Sequence, residues 1–225
     1  MPSPAAHARP APQSPWLRRT TTTRTAPQKS PTMTRSYDMT QRNRLAAATA
    51  DRILDATEAR LSSGPLAELT LSAVADDAGV SVQTVLRHFG SRDGLMEETA
   101  KRVGERIERH RGRASPHDPD AALDLLLEHY EAEGPLILNL LAHETVEPVA
   151  LHAVEEGRRF HRAWVDRVFG PTVNDEALDA LVAATDLYTW KLLRLDLKRT
   201  PAQVRRAMGA LVEGVRSEPE PGVSP

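Results

Sequence analysis

From about residue 44 to residue 216 the apolar positions recur at helical spacing, and no stretch alternates as a half-buried strand would. Ala50, Ile53, Leu54, Thr57 and Leu61 fall on one face of a first helix, which Gly64 and Pro65 end. A short second helix, capped by Thr70 or Ser72, turns Leu71, Val74, Ala75 and Ala78 inward, and Gly79 breaks it. Ser81 caps a third helix through Phe89, with Val82, Val85, Leu86 and Phe89 as its apolar positions. Gly90 stops that helix, and Ser91 caps a fourth carrying Leu95, Met96, Thr99, Val103 and Ile107 on one face. After a hinge at 112–119, the segments 121–131, 135–141, 148–169, 175–197 and 201–215 all read as helices. The pattern predicts an all-α fold of about nine helices.

Composition narrows the chemistry. The 225 residues suffice for one or two domains, and 40% hydrophobic residues suffice for a core. With aromatics at 4%, that core must be built mainly from Ala, Leu and Val. The absence of cysteine excludes disulfide scaffolds, thiol catalysis, iron–sulfur clusters and cysteine zinc sites, and it fits a reducing compartment. No apolar run approaches the roughly 18–20 residues of a membrane span. A secretory signal is not expected either, because the first 48 residues lack a continuous apolar stretch. We therefore expect a cytoplasmic protein with no membrane partner.

Charge is unevenly spread. Residues 1–48 carry a net +7, residues 49–113 a net −1 and residues 114–225 a net −8. Seven of the seventeen prolines lie in the first block, which is also rich in Arg, Ser and Thr. That composition predicts a disordered basic arm over 1–43, with an organelle transit peptide as the other reading. Residues 217–225 read as a disordered tail. Arg18, Arg19, Arg24, Lys29, Arg35, Arg42 and Arg44 could supply non-specific affinity for phosphates.

The stretch from Leu69 to Met96 holds the most specific signal. Two short helices joined by a Gly-containing turn make a helix-turn-helix over residues 44–111 or, equally from geometry alone, a structural αα-hairpin. Small Ala75 and Ala78 let the helices cross closely, and Gly79 permits the positive φ of a sharp reversal. The exposed face of the third helix presents Val82, Gln83, Thr84, Arg87 and His88. A major groove admits one such helix, where Gln can pair with adenine, Arg with guanine, and apolar methyls with thymine.

The run AxxAGVSVQTVLRHFGSRDGL, from Ala75 through Leu95, resembles the DNA-binding domain of the tetracycline-repressor (TetR) family of transcriptional regulators. Ile53, Thr70, Ala75, Ala78 to Ser81, His88, Phe89 and Leu95 match the family pattern. The resemblance is strong over residues 49–100 and weaker over 186–197. It implies that Val82, Gln83, Thr84 and Arg87 read bases and that Thr70, Ser81, His88 and Arg92 meet the DNA backbone. Two positions depart from the family. Leu86 stands where a Tyr is usual, removing one phosphate contact unless Leu86 packs inward, and Arg92 replaces the usual Lys.

The resemblance further implies an effector-binding and dimerisation domain over 118–216, a homodimer on a palindromic double-stranded operator, and a repressor released by an unknown small-molecule effector. Independently, 175–197 carries apolar residues on two faces: Leu178, Leu181, Val182 and Thr185 on one, Leu187, Trp190, Leu193 and Leu197 on the other. A helix apolar on both sides is buried on both sides, by a second subunit or within one core. Tyr130, His143, Trp164 and Tyr188 are candidate effector-pocket residues. His152 with Glu155 or Glu156 has metal-ligand spacing but lacks a third ligand, so neither a metal nor a cofactor is expected. No Gly-rich phosphate loop, GxSxG or HExxH points to an enzyme. The alternatives are a helical protein-interaction module without DNA binding and a helical enzyme of unrecognised type.

Overall fold

The computed structural model describes residues 34–116, 118–170 and 173–217. Most of the expected basic arm, residues 1–33, and residues 218–225 of the expected tail lie outside them. Among the described residues the chain forms nine α-helices and no strand. They are α1 (Thr34–Ser63), α2 (Leu71–Ala78), α3 (Val82–Phe89), α4 (Arg92–Arg111), α5 (Pro119–His143), α6 (Pro148–Phe169), α7 (Asp175–Ala184), α8 (Leu187–Lys191) and α9 (Pro201–Ser217). A 3-10 turn at Leu66–Glu68 precedes α2, and a π-helical turn at Leu192–Asp196 follows α8.

Three expectations change. First, α1 begins at Thr34, so residues 34–43 of the expected arm are helical. No Gly or Pro interrupts the run after Pro31, yet residues 39–48 are exposed throughout. A helix with no buried face there leaves no periodic signal to read. Of the unit Met1–Gln41, this opening of α1 is the described part.

Second, 121–131 and 135–141 are one helix, α5, running through Gly134 and Pro135. An interior proline costs a helix about 3 kcal/mol. Here the residues on either side stay helical because Tyr130, Gly134 and Leu136 are all buried. A Cβ on Gly134 would stand 2.7 Å from the ring of Trp190, so only glycine lets α8 approach α5 this closely.

Third, 175–197 is not one helix. It breaks at Thr185 and Asp186. Thr185 turns its hydroxyl back to the Leu181 carbonyl at 2.7 Å, Tyr130 donates to the Thr185 carbonyl at 2.8 Å, and the Asp186 carboxylate caps α8 through the Tyr188 amide. These local bonds compete with the helix ladder and end it. The break turns Leu187 and Trp190 into the chain's own core, leaving Leu192 and Leu197 about half exposed.

Within the unit Arg42–Pro225 the apolar side chains form two clusters. One gathers Ile53, Leu54, Leu61, Val74, Val85, Leu95 and Met96 of the first four helices with Leu136, Leu140 and Val154. The other is built around Leu126, Trp164, Leu181, Trp190 and Met208 of α5 to α9. Ile137 and Leu141 pack against both, so α5 joins the two cores.

Candidate nucleic-acid interface and an interior cavity

The helix-turn-helix follows from its caps. Thr70 accepts the Ala73 amide at 3.2 Å and starts α2. Gly79 ends it in the left-handed region at φ 64°, and the Val80 amide closes the turn on the Ala75 carbonyl at 2.9 Å. Ser81 then accepts the Thr84 amide at 3.2 Å and starts α3. Val85 is fully buried against the α2 side chains Val74 and Ala75 in the first cluster. Anchoring α3 by Val85 leaves Val82, Gln83 and Arg87 exposed on its outer surface. Thr84 is half-buried, its hydroxyl 2.9 Å from that of Ser81. His88 and Leu86 are half-buried as well.

Three acidic residues of this region are paired with arginines of α1 and α4. Asp77 pairs with Arg60 at 2.6 Å. Asp55 and Glu58 pair with Arg102, and Glu58 also pairs with Arg106, which reaches on to Glu133 of α5.

Arg92 is not free for a phosphate as expected from its place at the start of α4. Its Nε donates to the Leu69 carbonyl at 2.9 Å, Nη2 to the Leu66 carbonyl at 3.3 Å, and both Nη atoms reach the Glu147 carboxylate at 3.2 Å. The guanidinium fork is used inside the molecule. Thr70 and Ser81 remain exposed, although their hydroxyls already serve as caps.

Residues 53–99 match the family described as bacterial regulatory proteins, tetR family. The chain is 42% identical over 57 residues to the HTH-type transcriptional regulator AlkX of Mycobacterium tuberculosis, covering 25% of this chain and 27% of that protein. It is 33% identical over 98 residues to the HTH-type transcriptional regulator BetI of Paraburkholderia phytofirmans, covering 40% of this chain and 50% of that one. The matches thus span between about a quarter and a half of these curated relatives. In fold, the chain is similar to a transcriptional regulator from Rhodococcus sp. Rha1, with a TM-score of 0.62 at 17% identity, over 76% of this chain and 99% of that one. It is also similar to the multidrug binding protein EbrR complexed with imidazole, with a TM-score of 0.51 at 22% identity, over 72% and 88% of the two chains.

Residues 53–99 thus carry the DNA-binding region described for the tetR family of bacterial regulatory proteins.

The family match runs from Ile53 in α1 to Thr99 in α4 and so encloses the whole of α2, the turn and α3. Beyond it, the chain contains a cavity of about 740 Å³ among α4, α5, α6 and the α7–α8 junction. Its walls are largely apolar, with Val103, Ile107, Leu136, Leu140, Val154 and Phe160 among them. Of the four residues expected in a pocket, Tyr130 and Tyr188 line it. His143 does not, since it bonds back to the Asn139 carbonyl at 2.8 Å. Trp164 does not either: it is buried, and its indole N–H donates to the Arg111 carbonyl at 3.0 Å.

Sequence reasoning missed the polar groups deepest in this cavity, Arg111, His129 and His161, all of them buried. Burial lowers the His161 pKa to about 3, with the nearby Arg111 charge as the second cause. Arg111 must donate to Nδ1, so the single proton of neutral His161 sits on Nε2, which faces the Thr185 hydroxyl at 3.3 Å. A signal for these residues was available. Arg111 continues the four-residue spacing of Val103 and Ile107, and a charge on an apolar stripe marks a buried polar site. Elsewhere, His152 pairs with Glu156 on the surface, and among the described residues no three His, Asp or Glu side chains converge on a metal position. No described helix is long and apolar enough to cross a membrane.

Proposed function

We propose that this chain is a sequence-specific, DNA-binding transcriptional repressor of the bacterial cytoplasm, in which α3 enters the major groove. The carrying observation is the outer surface of α3. Val82, Gln83 and Arg87 stand exposed on a helix whose inner side is fixed by Val85, inside the segment that matches the family. Gln83 and Arg87 carry hydrogen-bonding chemistry for adenine and guanine edges, and Val82 and Thr84 offer methyl groups for thymine. Thr70, Ser81 and His88 are assigned to the DNA backbone, with the free amides at the start of α2 and α3. Arg92 is assigned to the interior instead.

In this reading residues 44–111 form the DNA-binding domain, and residues 118–216 bind an effector and dimerise. A homodimer is supported by apolar side chains left uncovered after α8 and on α9, where Leu192, Leu197 and Leu211 are each about half exposed. The cavity beside α4 supports release by a small molecule, because α4 also carries the wall of the helix-turn-helix core through Leu95 and Met96. EbrR, a multidrug binding protein of similar fold, is consistent with a ligand-holding interior. Selection from random duplex DNA tests the proposal. The expected product is a two-fold symmetric motif with half-sites about one helical turn apart; recovery of no motif would overturn it.

A further inference from the structure

The cavity holds a cation without a counter-ion. Arg111 is buried at the end of α4, its guanidinium between the rings of Phe160 and Trp164, 5.0 and 4.1 Å from their centroids. Its Nη2 donates to His161, its Nε has no partner, and among the described residues no carboxylate pairs with it. Burial lowers its pKa to about 10, a direction that a salt bridge would reverse. His129, buried beside Tyr130 with ring centroids 5.0 Å apart, has no partner on either nitrogen. Burial first and the Arg111 charge second hold His129 neutral, so it offers one N–H donor and one lone pair.

Proteins pair the charges they bury, because an uncompensated ion in a dry interior is costly. Of the acidic residues that share this cavity, Glu97, Glu105, Glu108 and Glu156 are exposed and the half-buried Asp186 caps α8 through the Tyr188 amide, and none of them is paired with Arg111. Resting on the effector-cavity reading above, we propose that the cavity takes a carboxylate on an apolar body, the carboxylate paired with Arg111 and hydrogen-bonded by His129. One uncompensated charge calls for a monoanion, and the planar guanidinium matches a carboxylate better than a point charge. A cationic ligand would place two like charges in one interior, and a neutral one would leave Arg111 as it is. The largely apolar walls and the volume of about 740 Å³ suit a body of drug-like size.

The test titrates the full chain with decanoate, decanol and decylamine, following the fluorescence of the tryptophans, of which Trp164 lies on Arg111. Decanoate is expected to bind at least about tenfold tighter than decanol, the scale of a charge-assisted hydrogen bond, with decylamine the weakest of the three. Arg111→Met is expected to abolish that advantage while leaving decanol binding within about twofold. The comparison on the unaltered chain stands even if the variant does not fold. Equal binding of decanoate and decanol, a preference for decylamine, no saturable decanoate binding, or an advantage that survives in Arg111→Met overturns the assignment. Operator affinity measured in the same samples separates the two readings: decanoate that binds through Arg111 without changing it upholds the ligand class and overturns effector release.

Discussion

Arg92 at the start of α4 and Glu147 just before α6 meet through both guanidinium Nη atoms, each 3.2 Å from a carboxylate oxygen. The same Arg92 holds the Leu66 and Leu69 carbonyls of the turn that leads into α2. Asn139 of α5 grips that turn from the other side, accepting the Leu66 amide and donating to the Leu61 and Gly64 carbonyls. The start of α2 is therefore tied to α4, α5 and α6 at once. In the proposed repressor, movement of those helices around a ligand would be passed to the start of α2 through these bonds.

Arg92→Ala is expected to destabilise the chain by about 1–3 kcal/mol, because it strands Glu147 and frees two carbonyls in a region only about a quarter exposed. A double-mutant cycle with Glu147→Ala should show coupling above about 0.5 kcal/mol in denaturant melts. The slope of log affinity for DNA against log salt should stay unchanged. A slope shallower by about one would mean that Arg92 meets a phosphate after all.

Arg87→Ala is expected to weaken binding to the selected operator by about 1–3 kcal/mol and to relax preference at one base position per half-site. Competition among single-base operator variants checks this. A uniform loss across all sequences would move Arg87 to the backbone class.

Leu211→Asp is expected to convert a dimer to a monomer in light scattering at micromolar concentration. Leu211 is about half exposed on α9, while Val204, Met208 and Val212 form that helix's buried side. An aspartate there leaves the chain's own core intact, so the melting of the isolated subunit should hardly change. Dimers that persist would place the interface elsewhere.

Gly134→Ala is expected to cost about 1–3 kcal/mol by overpacking, since its Cβ would meet the buried Trp190 ring at 2.7 Å. Pairing it with Trp190→Leu should recover part of the loss. Thermal melts of the two variants and their combination measure both effects.

Acid should destabilise the fold partly through His161. Unfolded, it takes a proton below its ordinary pKa of about 6.5; folded, it resists until about pH 3. Its contribution is complete above pH 6.5 and is lost progressively as pH falls toward 3. His161→Gln should therefore show a shallower loss of stability across that window, by up to about 1.4 kcal/mol per pH unit. Parallel curves for the two proteins would show that His161 already protonates in the folded state.

The helix-turn-helix was legible because its determinants are local. Thr70, Gly79, Ser81 and Ser91 each act on the backbone within a few residues, and each does so as read. The rest depended on distant partners. Pro135 reads as a helix end, and only the packing of Gly134 against Trp190 explains why α5 continues. The Thr185–Asp186 break carried a faint mark, two cap-forming residues inside an apolar run, but its other support comes from Tyr130 55 residues away. Arg92 and Arg111 look alike as charges in the sequence. Their different roles come from Glu147 meeting one and no described carboxylate meeting the other.

The affinity of the full chain for its selected duplex, relative to a scrambled duplex of equal length at physiological salt, tests the central claim most directly. If the exposed face of α3 reads base edges, the selected duplex binds at least about a thousandfold tighter, and both affinities fall steeply as salt rises. Equal affinity for the two duplexes, or binding indifferent to salt, would contradict a DNA-reading α3.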